Sequence, residues 1–98
     1  MNMQELMKQA QKMQQGIMNI KEKINAKEFI GTSSIVEVKM NGKKEVLSVE
    51  IKENIDLNTE KEVLEDMLVI AFNNASESIN KELEEKIGPA TSGLGDLL

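Results

Sequence analysis

Lys8, Lys12 and Lys23, set among Gln4, Gln9, Gln11, Gln14 and Gln15, are the side chains of this sequence best equipped for chemistry. A lysine ammonium is a mobile point charge suited to phosphate, and glutamine amides can bond phosphate and sugar oxygens. Such contacts position a protein on a polyanion without reading its sequence. Lys27, and Lys43-Lys44 just past an Asn41-Gly42 turn signal, extend the set. The bland reading of the same residues is a solvated helix face and a soluble hairpin tip. Equipment for catalysis is thin, because the chain has no His, Cys, Arg, Tyr or Trp. The usual general base, thiol nucleophile, bidentate phosphate clamp and indole platform are therefore missing, and the expectation is that the protein is not an enzyme.

Other motifs dissolve on inspection. Asp56, Asn58 and Glu60 have the opening spacing of a calcium loop, but Lys61 stands where the sharp turn needs Gly and Met67 where a bidentate Glu should be. The glycines at 88 and 93 have phosphate-loop spacing, yet Leu94 and Gly95 replace the Lys and Ser/Thr that touch phosphate and magnesium. No metal site, cofactor or small-molecule substrate is expected. The acidic residues Glu60, Glu62, Glu65 and Asp66 suit a helix N-terminus, and Lys81 and Lys86 stand among Glu77, Glu82, Glu84 and Glu85 at intrahelical pairing distance.

Charge is divided unevenly along the 98 residues. Residues 1–44 carry eight lysines against four acids, a net +4, whereas residues 45–98 carry four lysines against thirteen acids, a net −9. A chain at −5 overall is repelled as a whole by a polyanion. Any nucleic-acid contact must then be local and strongly salt-dependent. The absence of cysteine gives no sign of an oxidising compartment, and no stretch approaches the roughly 20 apolar residues that span a bilayer. A soluble cytoplasmic protein without membrane contact is the expectation.

The elements that must carry these lysines follow from periodicity. Met3, Leu6, Ala10, Met13, Ile17, Ile20 and Ile24 recur at alternating steps of three and four, which predicts a helix to about residue 26 with a narrow apolar seam. Gly16 lies off that seam and weakens the middle by about 1 kcal/mol relative to Ala. Val36, Val38 and Met40, then Leu47, Val49 and Ile51, alternate with polar residues about the Asn41-Gly42 turn. An earlier strand near residues 28–32, joined through Gly31-Thr-Ser-Ser34, completes a three-stranded antiparallel meander. Thr59 with Glu62 has capping-box spacing for a second helix, which Gly88-Pro89 is expected to end near residue 87. The reading is an α+β chain of order α-β-β-β-α: one domain over residues 1–88 and a flexible tail over 89–98 with a Leu97-Leu98 end.

A helix over residues 60–87 would be about 42 Å long at 1.5 Å per residue, against about 30 Å for a compact globule of this size. Part of it must project. The first helix enters the sheet at its C-terminal end and the last leaves it at its N-terminal end. Residues 3–13 are therefore expected to zip against residues 79–87 as a two-helix arm. The broad apolar belt of residues 63–75, with a bare sheet face or edge, is left for a second protomer, giving a homodimer. Val63, Met67, Ile70, Phe72, Asn73 and Asn74 are the expected interface, the two asparagines bonding backbone or each other.

The segments Leu6-Met-Lys-Gln-Ala-Gln-Lys-Met-Gln14 and Leu64-Glu-Asp-Met-Leu-Val-Ile-Ala-Phe-Asn-Asn-Ala-Ser76, with Gly31, Val36-Glu-Val-Lys-Met-Asn-Gly42 and Val49-Glu-Ile51 between them, resemble the YbaB/EbfC family of bacterial nucleoid-associated proteins. The resemblance spans roughly residues 3 to 87 and rests on packing motifs. It implies a homodimer joined through its sheet region, with helical arms that grip duplex DNA like tweezers at low sequence specificity, in a cytoplasmic protein associated with the nucleoid. Charge and helical geometry, rather than a family motif, make Lys8, Lys12, Lys23, Lys27, Lys43 and Lys44 the expected DNA contacts. The rival reading is an acidic dimeric adaptor that holds another protein of DNA repair or replication.

Overall fold

The computed structural model describes residues 2–95, and within them the chain runs α1 (Met3–Ala26), β1 (Phe29–Ser33), β2 (Val36–Met40), β3 (Val46–Ile51) and α2 (Leu57–Gly95). The expected α-β-β-β-α order and antiparallel meander are both present, with sheet order β1-β2-β3. α1 opens on Asn2, whose side chain accepts the Glu5 N–H at 2.9 Å, a standard way to satisfy a free helical donor. It ends at Lys27, which is extended.

Two tight connections fix the register. Ser33 pairs with Val36 across a two-residue turn in which Ser34 is left-handed (φ 53°). Between β2 and β3 the chain turns through residues 41–45, where Asn41 Oδ1 accepts the N–H groups of Lys43 (2.9 Å) and Glu45 (3.1 Å), and Lys44 takes φ 66°. The turn is therefore wider than a two-residue Asn-Gly hairpin. The strand register also slips by one residue after Lys39, because Lys39 faces Ser48 while Met40 faces Val46. Leu47 is the extra residue of that bulge.

Glycine serves here as a place of close approach. A methyl group on Gly42 would lie 2.0 Å from the Ile24 carbonyl oxygen, and one on Gly31 would lie 2.1 Å from that of Ala71. Gly31 thus sits inside β1, under α2, and the connection to β2 narrows from the expected Gly31-Thr-Ser-Ser34 to Ser34 and Ile35.

The core forms where α2 crosses β1 and β2 with the C-terminal end of α1. Ile24, Phe29, Val36, Val38, Met40, Ala71, Ala75 and Ile79 are buried, and Ile20, Leu64, Met67, Leu68, Phe72 and Leu83 pack partly against them. Small residues at 71 and 75 let the helix come down onto Gly31. α2 has no comparable contact with β3, so every residue of that strand is exposed.

The two ends of α2 differ from expectation. Asp56 supplies the cap: its carboxylate accepts the Asn58 N–H at 2.9 Å while Glu60 Oε2 accepts the Asp56 N–H at 3.2 Å. The reciprocal pair is shifted from Thr59/Glu62 because Leu57–Thr59 already form a first turn, set off by a kink at Glu60 (φ −120°, ψ 15°). At the other end the helix does not stop at Gly88-Pro89 but runs to Gly95. Gly88 does not take the left-handed conformation that caps a helix, and the fixed φ of proline is itself helical, at the loss of one backbone hydrogen bond. The Leu97-Leu98 end lies outside the described residues.

The result is long and thin, 70 × 24 × 14 Å with a radius of gyration of 19.4 Å, where a compact chain of this length would have about 13 Å. Two helices extend from the sheet as an arm. Their register is offset from the expected one. Ile24 and Ile20 of α1 share the core with Ile79 and Leu83 of α2, so it is the C-terminal half of α1 that meets residues 79–83.

Candidate nucleic-acid interface

Lys8, Lys12 and Lys23 are exposed on α1. At 100° per residue they fall within an arc of about 60° and spread over about 22 Å of helix axis. That length matches roughly six base pairs of duplex at 3.4 Å each. Glu5 shares the arc at its outer end, and Asn19 lies within it. The arc lies on the side of α1 turned away from the apolar seam, and only its Lys23 edge approaches α2, where Lys23 and Lys27 line a depression with Glu82 and Lys86. The geometry thus gathers three of the six expected lysines into one strip.

Lys27 is differently placed. Its ammonium donates to Glu82 Oε1 at 2.5 Å and stands 5.4 Å from the centre of the Phe29 ring. One lysine therefore ties the end of α1 to α2 and covers an aromatic of the core. Lys23 and Lys27 also sit where α1 presents its free carbonyls, and positive charge is favourable there.

Lys43 and Lys44 are exposed on the β2–β3 turn. Asn41 organises that turn, and its Nδ2 also donates to Glu45 Oε1 at 3.0 Å. Lys43 lines a shallow depression with Glu22, Asn25, Ala26 and Asn41, so the turn sits beside the C-terminal end of α1 rather than away from it. Gly42 makes this possible through its contact with Ile24. The basic turn is a neighbour of Glu22, Asn25 and Ala26 at the end of α1.

On α2 the expected intrahelical ion pairs of Lys81 and Lys86 are not formed among the described residues. Lys86 faces the groove toward α1, and Lys81 lies beside Asn74, Glu77 and Ser78. The acidic neighbours of Lys86 in the sequence do not locate it. The signal that locates it is its position three residues past Leu83, on the edge of the stripe that meets α1.

The residues expected at a dimer interface divide into two sets. Val63 and Ile70 are 54% and 49% exposed, and with Met67 they form a second stripe along α2 beside the buried one. Met67 and Phe72 pack partly against the chain's own core. Asn73 is exposed, while Asn74 donates to the Thr32 carbonyl at 3.0 Å and so satisfies backbone of β1. An uncovered apolar row lies on β3, where Val46, Leu47, Val49 and Ile51 are all 43–50% exposed. Val49 lies opposite the fully buried Val38, and Ile51 opposite Val36. Adjacent paired residues share a sheet face, so this row continues the core beyond the edge of α2.

Residues 1–94 match the YbaB/EbfC DNA-binding family. The chain belongs to that family. Named nucleoid-associated proteins are similar along almost the whole length: 40% identity over 90 residues with one from Mycoplasmopsis pulmonis, covering 89% of this chain and 90% of the relative. One from Clostridium novyi is 38% identical over 96 residues, covering 96% and 84%. One from Lactococcus lactis is 38% identical over 96 residues, covering 96% and 97%. The crystal structure of an uncharacterized protein from Helicobacter pylori shares the fold, with a TM-score of 0.72 at 21% identity, covering 87% of this chain and 91% of that one. The YbaB/EbfC resemblance read from residues 6–14 and 64–76 is thus met over the full domain. In this YbaB/EbfC chain no described helix is long and apolar enough to cross a membrane.

Proposed function

We propose that the protein is a homodimer associated with the nucleoid, which binds duplex DNA with little sequence preference through lysine–phosphate contacts from its helical arms. The observation that carries this reading is the strip Lys8–Lys12–Lys23 along an arm of a DNA-binding family member. A strip of ammonium groups spaced along one helix flank follows a phosphate backbone. Ammonium–phosphate contacts position a protein on the backbone without reading base edges. Sequence preference is therefore low, and affinity falls steeply with salt.

Dimerisation follows from the uncovered row of β3. Four adjacent apolar side chains that continue a core are an incomplete core, and the Val63–Ile70 stripe of a second copy has the chemistry to complete it. In a two-fold dimer each copy offers its β3 row to the other's α2 stripe, so the contact is made twice. Two arms on one body double the number of phosphates engaged, and linked contacts raise overall affinity without any new chemistry.

The deciding experiment is a titration of fluorescein-labelled duplex DNA at about 50 and 200 mM salt, followed by anisotropy. Binding at micromolar dimer that weakens steeply between the two conditions supports the reading. No binding at low salt ends it.

A further inference from the structure

At the base of the arm, α1 and α2 diverge to leave a depression of about 340 Å³ lined by Ile20, Lys23, Ile24, Lys27, Glu82 and Lys86. Three lysines surround one glutamate, so the site carries a net charge of +2. Glu82 bonds Lys27, and its side chain is only 19% exposed against 55% for Lys27. Among the described residues neither Lys23 nor Lys86 has an ion-pair partner. The end of α1 accounts for Lys23 and Lys27, but α2 runs on to Gly95, so no helix terminus accounts for Lys86. The depression thus offers one carboxylate held by a lysine and two further lysines on the same lining, a set of charges suited to an anion.

We infer that this depression is a phosphate-binding site gated by Glu82: a phosphate of the DNA backbone is taken by Lys23 and Lys86, and it competes with Glu82 for Lys27. The inference rests on the proposed DNA binding and deepens it, bringing α2 into contact with the nucleic acid although that helix is acidic overall. It also gives Glu82 a second role. The residue closes the arm in the free protein, and it withholds one cation until a phosphate replaces it.

The test is anisotropy with a labelled 20-base-pair duplex across a salt series, for wild type, Glu82→Gln, Lys86→Gln, Lys27→Gln, the Lys27→Gln/Glu82→Gln double variant, and Glu85→Gln. Glu85 is exposed on α2 and does not line the depression, so its variant removes equal charge elsewhere. Glu82→Gln should bind several-fold more tightly than Glu85→Gln, with a salt slope steeper by about 0.9 for each phosphate newly neutralised. Lys86→Gln should bind more weakly, its slope shallower by about the same amount. Lys27→Gln should weaken binding, because it removes a phosphate contact and leaves Glu82 unpaired in the depression, and the Lys27→Gln/Glu82→Gln double variant should recover part of that loss. The inference is overturned if Glu82→Gln and Glu85→Gln behave alike, or if Lys86→Gln binds as wild type. Circular dichroism checks each fold. Should Glu82→Gln fail to fold, Lys86→Gln decides alone, because it breaks no ion pair. If wild type binds no DNA the proposed function falls with the gate, whereas wild-type binding with unchanged variants removes only the gate.

Discussion

Gly31 and Gly16 are the same residue in opposite surroundings, and they separate the base of this molecule from its arm. At the base, Gly31 has the Ala71 carbonyl oxygen, the Ala75 nitrogen and the Ala75 Cβ all within 2.8 Å of where a methyl group would lie, and Val38, Ala71, Ala75 and Ile79 are fully buried. In the arm, Gly16 has nothing within 4 Å, and Ile24 is the only buried residue of the 24 in α1. The base is held by interdigitated packing, which tolerates little change of volume. The arm is held by helix formation and a one-sided seam, so its surface is free to carry charge. Stability and the proposed DNA contact are thus assigned to different parts of a small chain.

The contrast breaks most visibly at the base. Gly31→Val forces β1 and α2 apart and should lower stability by about 3 kcal/mol, which for a domain of this size is a fall in melting temperature on the order of 15 °C. Thermal unfolding followed by circular dichroism measures it. A fall of only a degree or two would mean that the helix and strand are not in close contact. Next in size is Val49→Lys on β3. Because Val49 is exposed in the protomer, its secondary structure should survive, the lysine stem lying along the apolar row with its ammonium in water. Inside a dimer contact the same ammonium is an unpaired buried charge costing about 3 kcal/mol or more. Sedimentation should then show monomer at concentrations where the wild type is dimeric. An unchanged sedimentation coefficient would remove β3 from the interface.

That second prediction marks where sequence stops informing. β2 and β3 alternate in the same way, and both strands are legible from Val36, Val38 and Met40 and from Leu47, Val49 and Ile51. Period-two alternation declares that a face is apolar; it does not say what covers it. β2 is covered by α2 and β3 is not, a difference set by the path of one helix across the sheet. The site has a similar limit. Lys8, Lys12 and Lys23 share a flank by helical spacing alone, so the strip is legible in one dimension. Lys27 reads as one more member of that set, yet its pairing with Glu82 depends on how α1 meets α2. A one-dimensional pattern does not fix that register, and it sets residues 3–13 against residues 79–87 where the C-terminal half of α1 belongs. The helix past Gly88-Pro89 is hidden for another reason: those residues favour a stop without enforcing one.

A smaller effect on the fold, and a larger one on binding, is expected from reversing charge on the strip. Lys8→Glu with Lys12→Glu leaves both positions exposed and should shift the melting temperature by no more than a few degrees. DNA affinity at about 0.1 M salt should fall at least about tenfold, with the salt slope shallower by about 0.9 for each phosphate that the variant no longer neutralises. Equal affinity for variant and wild type in the anisotropy titration would take the interface off this flank of α1.

The least disruptive change returns to Gly16. Alanine at a solvent-exposed helical position replaces the most flexible backbone with the best helix former, worth about 1 kcal/mol, and here the added methyl group meets no neighbour. Gly16→Ala should therefore raise the melting temperature by about 4–8 °C, the sign opposite to that at Gly31. Gly16 lies between Lys12 and Lys23 along the arm, so the same variant asks whether the arm must bend there to follow DNA. A straight arm that already matches the phosphate path gains rigidity and binds as well as wild type or slightly better. An arm that hinges at Gly16 loses affinity as it gains stability, and the two readouts then move in opposite directions. A drop in melting temperature would contradict the open surroundings of Gly16 and show that the middle of the arm is covered in the assembled protein.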